Sequence, residues 1–244
     1  MKNFLLLIGI LVMITAAHFV FGQVSQGVVE YEVKINMHRR LPPDQTHMKE
    51  MVTEFNISKD QLFFNEKESF YKTVEEDEDE IDQGGGMKIH LKRPNVQTYF
   101  NFEKSKKIML QEFMGKEYLI EDSIKIAPWK IGPETKTLLG YTCRRASYYN
   151  IERKVTVVAW YADQLLAFRG PEGFNSLPGT VLQVDINDGE RIITAQHLEE
   201  RQLKKGEIKV PSGGVRMTSE AFNKMTDAQM EKMRANGANV IIRH

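Results

Sequence analysis

The sequence predicts a mainly β protein: a curved antiparallel sheet, shaped as a half-barrel or sandwich, with a C-terminal α-helix. Three observations predict it. Apolar and polar residues alternate with a period of two along many short stretches, as in strands that have one dry and one wet face. Turn residues separate these stretches at regular intervals. Only near the C-terminus does the apolar spacing become helical.

The first half of the chain reads as a meander of hairpins. In the first strand Val29, Tyr31 and Val33 point one way, whereas Glu30 and Glu32 point the other. The same alternation predicts strands at 53–57, 87–91 and 96–102, and shorter ones at 108–113 and 118–120. Because the strands have one apolar side each, something apolar must cover that side.

The second half continues this pattern. Strands are predicted at 142–149 and 154–161 around a polar turn, and Leu182, Val184 and Ile186 alternate in a further strand. Asp188 and Gly189 then predict a hairpin turn, since glycine accepts a positive φ without a Cβ clash. A returning strand is expected at 192–196.

The C-terminal region predicts a helix at about 218–236. Four apolar side chains share one of its faces: Phe222, Met225, Met230 and Met233. Thr226 and Gln229 offer a capping box for a second helical turn, Gly237 ends the helix, and a last short strand is expected at 240–242. Two interpretations are open: the helix covers its own sheet, or it docks in a partner.

Residues 1–22 have the layout of a secretory signal peptide. Lys2 precedes an apolar stretch from Phe4 to Val20, and cleavage is expected after Gly22. An uncleaved membrane anchor is the alternative, because the stretch approaches the length of a bilayer span. Residues 23–244 are then expected to form a single β-rich domain, exported to the periplasm or associated with the outer membrane.

Two polar segments, 39–50 and 75–86, are predicted to be disordered. The second contains seven carboxylates within 75–82 and ends in three glycines, so like charges repel and little can be buried. It lacks the spacing of an EF-hand loop, and a solvated charge run is preferred over a Ca²⁺ site. Cys143, the one cysteine, cannot form an internal disulfide and is expected to be a small buried hydrophobe.

Neither a cofactor nor a catalytic site is predicted. His47, Met48 and Met51 could join the methionines of the helix in a soft-metal site, because thioether and imidazole suit Cu(I). A methionine stripe at helical spacing is more often core. The chain has no G-x-S-x-G, H-E-x-x-H or Walker motif. We therefore expect a protein that is not an enzyme.

The central third of the chain has a distinctive order of motifs. It runs through Trp129, Ile131, Gly140, Cys143, Trp160, Tyr161, Phe168, Gly170, Pro171 and Phe174 to the hexapeptide 176–181, followed by Asp185. This order resembles the GLPGLI family of Bacteroidota envelope proteins, although Ser176 and Thr180-Val181 depart from the eponymous motif. The resemblance implies export, a gene near TonB-dependent outer-membrane receptors and no assigned catalytic residues.

Phe174 and the hexapeptide give a candidate site, a partner-binding loop of Phe174, Leu177, Pro178 and Gly179. Proline followed by glycine indicates a type II turn, which needs a positive φ at the glycine. Phe174 and Leu177 are expected to tuck beneath a loop that crosses the sheet edge. A structural turn that closes the sheet is the alternative to a binding role.

From these features we predict a non-enzymatic accessory or binding module. It would work with an outer-membrane receptor or assembly complex through strand edges and loops, with no nucleic-acid partner and only peripheral membrane contact. Two alternatives are a carrier that holds a lipid in the concave face of the sheet and a protein of periplasmic copper handling. An apolar pocket of ~300–1,000 Å³ would favour the carrier.

Overall fold

The computed structural model describes residues 25–41, 43–74 and 95–235. It confirms the predicted class, since twelve strands form one open, curved sheet with a C-terminal helix. The strands are β1 Gly27–Asn36, β2 Phe55–Phe64, β3 Glu68–Thr73, β4 Val96–Asn101, β5 Lys106–Phe113, β6 Lys116–Ser123, β7 Lys130–Leu138, β8 Tyr141–Asn150, β9 Val155–Ala162, β10 Thr180–Ile186, β11 Arg191–Glu200 and β12 Val215–Met217. The helix spans Ser219–Ala235, and 3-10 helices span Met37–Arg39 and Pro43–Glu50.

Strand β1 lies in the middle of the sheet and joins two meanders. The strand order is β12-β6-β5-β4-β3-β2-β1-β11-β10-β9-β8-β7. All pairings are antiparallel except that of β12 with β6, which is parallel. The described edges of the sheet are therefore β12 and β7.

The larger apolar core covers one side of the sheet, which we call the main-core face. It carries Val29, Tyr31 and Val33 from β1, all at most 1% exposed, together with residues of β8 to β11. The long segment between β9 and β10, residues 163–179, contributes Leu165 and Leu177 to the same core. The alternation predicted for β1 is confirmed.

A second apolar cluster lies on the other side, the opposite face, and the prediction of one wet face is wrong for this half of the sheet. Val28, Phe63, Phe70, Tyr99, Ile108 and Leu119 form it. Leu203 and Ile208 pack against these side chains. The segment that follows β11 thus supplies the apolar cover that makes a second dry patch possible.

Strands β3, β7 and β12 and the buried end of β2 were not predicted. In β2 and β3 the consecutive aromatics Phe63-Phe64 and Phe70-Tyr71 hide the period of two, because one residue of each pair faces each cluster. Strand β7 contains Pro133 beside a register shift. Proline is tolerated at an edge strand of this kind, where the missing N–H has no partner to lose.

The predicted hairpin between β10 and β11 is confirmed. Asn187, Asp188 and Gly189 all have positive φ, the last at +87°. The backbone N–H of Gly189 donates to Oδ1 of Asp185 at 2.7 Å, which ties the turn to the end of β10.

The C-terminal helix packs on its own sheet. Phe222 is 4% exposed, and its ring centroid lies 5.4 Å from that of Tyr118. The cap differs from the predicted one: the N–H of Ala221 donates to Oγ1 of Thr218, whereas the Thr226 hydroxyl donates within the helix to the Asn223 carbonyl. The prediction that Thr226 caps a second helical turn is wrong, because Thr226 lies inside the continuous helix Ser219–Ala235.

Disorder was the wrong prediction for the described part of 39–50, which forms 3-10 turns. Local hydrogen bonds hold them: Oδ1 of Asn36 accepts from the Arg39 N–H, and the Met48 carbonyl accepts from the Val52 N–H. Val52 and Leu41 are buried and anchor the segment. The signal peptide, the acidic segment, and the strands predicted at 87–91 and 240–242 lie outside the described residues.

Candidate functional site

A groove of about 610 Å³ opens beside the apolar cluster of the opposite face. Its lining comes from β2, β3, β4 and the segment after β11: Phe63, Phe70, Lys72, Thr73, Val74, Asn95, Gln97, Gly206, Glu207 and Lys209. Two aromatic rings border the groove among amide, hydroxyl and charged groups, so a ligand there would meet mainly polar side chains.

Two phenylalanine rings form the floor of this groove. Phe63 and Phe70 are directly paired across β2 and β3, and their rings are nearly parallel with centroids 6.5 Å apart. Two residues after Phe70 on β3, and therefore on the same face of the sheet, Lys72 pairs with Gln97 of β4. The pairing of the strands therefore places an ammonium and an amide beside the aromatic floor.

The outer wall is a tight turn that an ion pair holds in shape. The guanidinium of Arg201 donates to both carboxylate oxygens of Glu207 at 2.7 Å, and the Lys204 N–H donates to the same carboxylate at 2.6 Å. Gly206 in this turn has a φ of +88°, which suits glycine. The Arg201 hydrogen bonds lower the pKa of Glu207 to about 2, so its carboxylate is ionised at neutral pH.

The predicted binding loop lies on the main-core face, away from this groove. Leu177 is 1% exposed and belongs to the main core, Phe174 packs against that core, and Pro178 is exposed. Ser176 connects the loop to the entry of β7, because its Oγ accepts from the N–H of Ala127 and from Nε1 of Trp129. The binding role of these residues stays a prediction.

The type II turn proposed for this loop is wrong. Gly179 does not have a positive φ, and its N–H donates to the Leu177 carbonyl at 2.8 Å, two residues back. Glycine is needed for another reason: a Cβ at this position would lie 2.2 Å from the Ala162 carbonyl oxygen. The loop therefore closes on the end of β9 by backbone contact.

A buried arginine ties the same loop to the hairpin between β2 and β3. Arg169 is 2% exposed, and its guanidinium donates to the carbonyls of Asn65, Glu66, Ala167 and Phe168 at 2.5 to 3.2 Å. It also stacks on the ring of Phe102, 3.9 Å from the centroid. Burial lowers its pKa to about 10, so the side chain remains a cation at neutral pH.

Two further side-chain pairs connect this segment with the sheet. The hydroxyl of Tyr71 donates to Asp60, and Arg191 forms an ion pair with Glu172. Asp60 is fully buried and Tyr71 is 1% exposed. We infer that these contacts hold the segment 163–179 on the sheet.

The described residues contain no group of three or more His, Cys, Asp or Glu side chains that could hold a metal ion. Of the proposed soft-metal ligands, Met51 is exposed, whereas Met230 is buried. Within the described ranges, no helix has the length and apolarity that a membrane span requires. Cys143 is fully buried, and burial raises the pKa of its thiol to about 11.

The residues of the groove were not recognised from the sequence. Lys72, Gln97 and Glu207 are common surface types whose spacing carries no motif. The doubled aromatics at 63–64 and 70–71 were the available signal, since they indicate a strand with two covered faces. The doubled aromatics would have located the floor of the groove at Phe63 and Phe70. They could not have located its wall, because the turn at 201–207 lies more than a hundred residues further along the chain.

The family model described as "N-glycanase peptide, N-terminal domain" matches residues 64–222, well over half of the chain. The chain belongs to this family. Two solved structures of PNGF-II, in P21 and C2 crystal forms, are similar in fold to this chain. They match with TM-scores of 0.55 and 0.54 at 13% identity over 82% of this chain. No curated protein matches the sequence significantly.

The match covers 33% and 32% of the two PNGF-II chains, so this chain spans about a third of their length. At this identity the likeness shows the fold alone. Nevertheless, membership in this N-terminal-domain family overturns three predictions: the resemblance to the GLPGLI family, the non-enzymatic accessory role with its carrier and copper alternatives, and the expectation that the protein is not an enzyme. The Trp, Gly-Pro and Pro-Gly positions behind the resemblance serve packing and turns that many β-sheets need.

The export that residues 1–22 predict is consistent with membership in this family. Its placement in the periplasm or at the outer membrane stays a prediction, as does contact with a TonB-dependent receptor.

Proposed function

We propose that the chain takes part in N-glycanase activity and binds N-glycosylated peptides in the groove of the opposite face. The groove of about 610 Å³ carries this proposal, because it joins an aromatic floor to amide and charged groups in a chain of the N-glycanase family. It would act outside the inner membrane, in the periplasm or at the outer membrane.

The lining supports a sugar ligand on chemical grounds. A sugar ring has apolar faces of C–H groups and a rim of hydroxyls, so it fits a site with flat apolar surface and neighbouring amides and carboxylates. Phe63 and Phe70, which are 7% and 3% exposed, supply a small apolar edge, and Gln97 and Asn95 supply amides that accept or donate hydrogen bonds.

The proposal is tested by binding. The exported chain is titrated with an N-glycosylated peptide and with the same peptide without its glycan, and the dissociation constants are measured by calorimetry. We expect saturable binding of the glycosylated form only. Mass spectrometry of the glycopeptide after incubation measures whether glycan is released.

A pair of amide substitutions locates the site. The double variant N95A/Q97A removes both groove amides and should weaken glycopeptide binding about tenfold, as expected for two lost hydrogen bonds. The matched control N223A/Q164A removes two exposed amides elsewhere and should bind like the wild type. Equal binding of glycosylated and bare peptide, or no difference between the two double variants, would contradict the proposal.

A further inference from the structure

One large aromatic side chain of the segment 163–179 is open to solvent. Phe168 is 49% exposed, whereas Leu177 of the same segment is buried. The φ of Phe168 is +60°, in the left-handed region that bulky residues avoid because the Cβ approaches the carbonyl oxygen. Met114 and Leu139 have similar φ values, but each precedes a positive-φ glycine in a two-residue hairpin turn, which requires them. Phe168 belongs to no such hairpin.

Hydrogen bonds on both sides hold Phe168 in this conformation. Its N–H donates to the Leu177 carbonyl at 2.9 Å, and its carbonyl accepts from Nη1 of the buried Arg169 at 3.2 Å. One residue further along, the Arg169 carbonyl accepts from the Val181 N–H at 2.8 Å. A conformation that is unfavourable for the residue itself persists only where its surroundings fix it. The loop therefore presents the Phe168 ring from a rigid backbone.

The guanidinium of Arg169 also places Phe168 beside the hairpin that joins β2 and β3. It donates both to the Phe168 carbonyl and to the Asn65 carbonyl, the latter at 2.5 Å from Nη2. Phe63, which borders the groove, is two residues before Asn65, a reach of at most about 7 Å along the chain. Phe168 therefore lies near the hairpin end of the two strands that form the groove floor.

We propose that Phe168 is a further binding residue for the glycan, stacking on a sugar ring outside the groove. This inference rests on the proposed glycopeptide function and adds a contact to it. An exposed phenyl ring offers a flat apolar surface to the C–H face of a sugar, and it has only two side-chain torsions to fix on binding. Glycine would suit the backbone at this position better, so the ring gives the reason for phenylalanine there.

The test measures binding of an N-glycosylated peptide and of the released N-glycan to the whole exported chain by calorimetry. Phe168→Leu keeps an apolar side chain but removes the ring, and it should weaken binding of both ligands about tenfold. Phe168→Tyr keeps the ring and should bind like the wild type. The matched control Tyr149→Leu removes a ring that is 55% exposed on β8, and it should also bind like the wild type.

Phe168→Gly separates binding from folding, because it relieves the positive φ while it removes the ring. Its control is Met114→Gly, which relieves a φ of +53° at a residue that is 61% exposed. We expect similar urea denaturation midpoints for the two variants and a loss of glycan affinity in Phe168→Gly only. A midpoint that falls much further in Phe168→Gly, with unchanged affinity, would assign the ring to the fold and overturn the inference.

The outcomes also separate this inference from the proposed function. Wild-type affinity in Phe168→Leu, or an equal loss in Tyr149→Leu, would overturn the inference alone, provided that N95A/Q97A still weakens binding. A loss confined to the glycopeptide, with the released glycan bound as before, would show that Phe168 contacts the peptide and would likewise overturn it. Failure of both glycosylated ligands to bind the wild type would overturn the inference and the proposed function together.

Discussion

The backbone of Gly179 lies against the carbonyl of Ala162, so closely that a Cβ on Gly179 would be 2.2 Å from that oxygen and 2.9 Å from the Cα of Asp163. This contact joins the last residue before β10 to the end of β9. It fixes the closure of the segment 163–179, which covers part of the main core. The closure is backbone against backbone, so no side chain can move aside to accommodate a methyl group.

We therefore expect Gly179→Ala to lower the free energy of unfolding by about 2 kcal/mol, the usual cost of forcing an extra methyl into a packed site. Gly173 is the matched control in the same segment. A Cβ there meets no atom within 4 Å, and its φ is not positive, so Gly173→Ala should be neutral or slightly stabilising. Urea denaturation midpoints measure both, and equal midpoints for the two variants would show that the contact carries no strain.

Arg169 is expected to be the most sensitive charged residue of the loop. Replacing it with methionine removes its hydrogen bonds to the carbonyls of Asn65 and Glu66 and its stacking on Phe102, which should cost about 3 kcal/mol. Arg169→Lys should recover only part of this loss, because an ammonium cannot reproduce the planar fork. Arg216→Met is the control, since that side chain is 78% exposed, and it should have little effect. Thermal and urea unfolding give the comparison; a stable Arg169→Met variant would refute the role.

These loop contacts show why the sequence predicted the fold better than the site. The alternation of Val29, Tyr31 and Val33 is a local signal of a strand with one covered face, and the structure has that strand. Where both faces are covered, as at Phe63-Phe64 in β2 and Phe70-Tyr71 in β3, the period of two disappears. For this reason the buried end of β2 and the whole of β3 were not predicted. The partners of Arg169 and Glu207 depend on long-range pairing or on the shape of a turn, and neither leaves a periodic trace in the sequence.

Stability should fall at alkaline pH because of buried tyrosines. Burial raises the pKa of Tyr31 and of Tyr71 well above the value near 10 that they have in the unfolded chain. Above about pH 10 the unfolded state loses these protons while the folded state keeps them, so unfolding becomes more favourable as the pH rises. Each tyrosine contributes a slope of up to about 1.4 kcal/mol per pH unit.

Tyr31→Phe tests this slope. It removes the hydroxyl that donates to the Val181 carbonyl at 2.6 Å, so stability near pH 7 should fall by about 1 kcal/mol, while the alkaline slope becomes shallower. Val33→Ala is the control, because it destabilises the same strand by core truncation without removing a titrating group. Urea titrations at several pH values from 7 to 11 measure both. An unchanged slope in Tyr31→Phe would contradict the prediction.

The thiol of Cys143 should be unreactive in the folded protein. It is fully buried, and with a pKa of about 11 only a very small fraction is thiolate at pH 8. We expect labelling by a disulfide reagent at pH 8 to be at least a hundredfold slower in the native chain than in urea. The variant C143A/S212C places the thiol at an exposed position and should label promptly without urea. Fast labelling of the native wild type would show that Cys143 is accessible.

The helix should depend on one aromatic anchor. Phe222 packs between the rings of Tyr118 and Phe113, at centroid distances of 5.4 and 6.2 Å, and it belongs to the small cluster that joins the helix to β6. Truncation of a buried phenylalanine costs about 3–5 kcal/mol when the whole fold feels it. Here the helix lies at one edge of the sheet, so we expect truncation of Phe222 to detach the helix locally and to leave the rest of the sheet folded.

Hydrogen exchange distinguishes destabilisation of the whole fold from local detachment of the helix. In Phe222→Ala the amides of 219–235 should exchange much faster, whereas those of β1 and β11 in the middle of the sheet should keep their protection. Lys224→Ala, on the exposed side of the helix, should leave both regions as in the wild type. If helix protection persisted in Phe222→Ala, the contacts with Tyr118 and Phe113 could not be what holds the helix on β6.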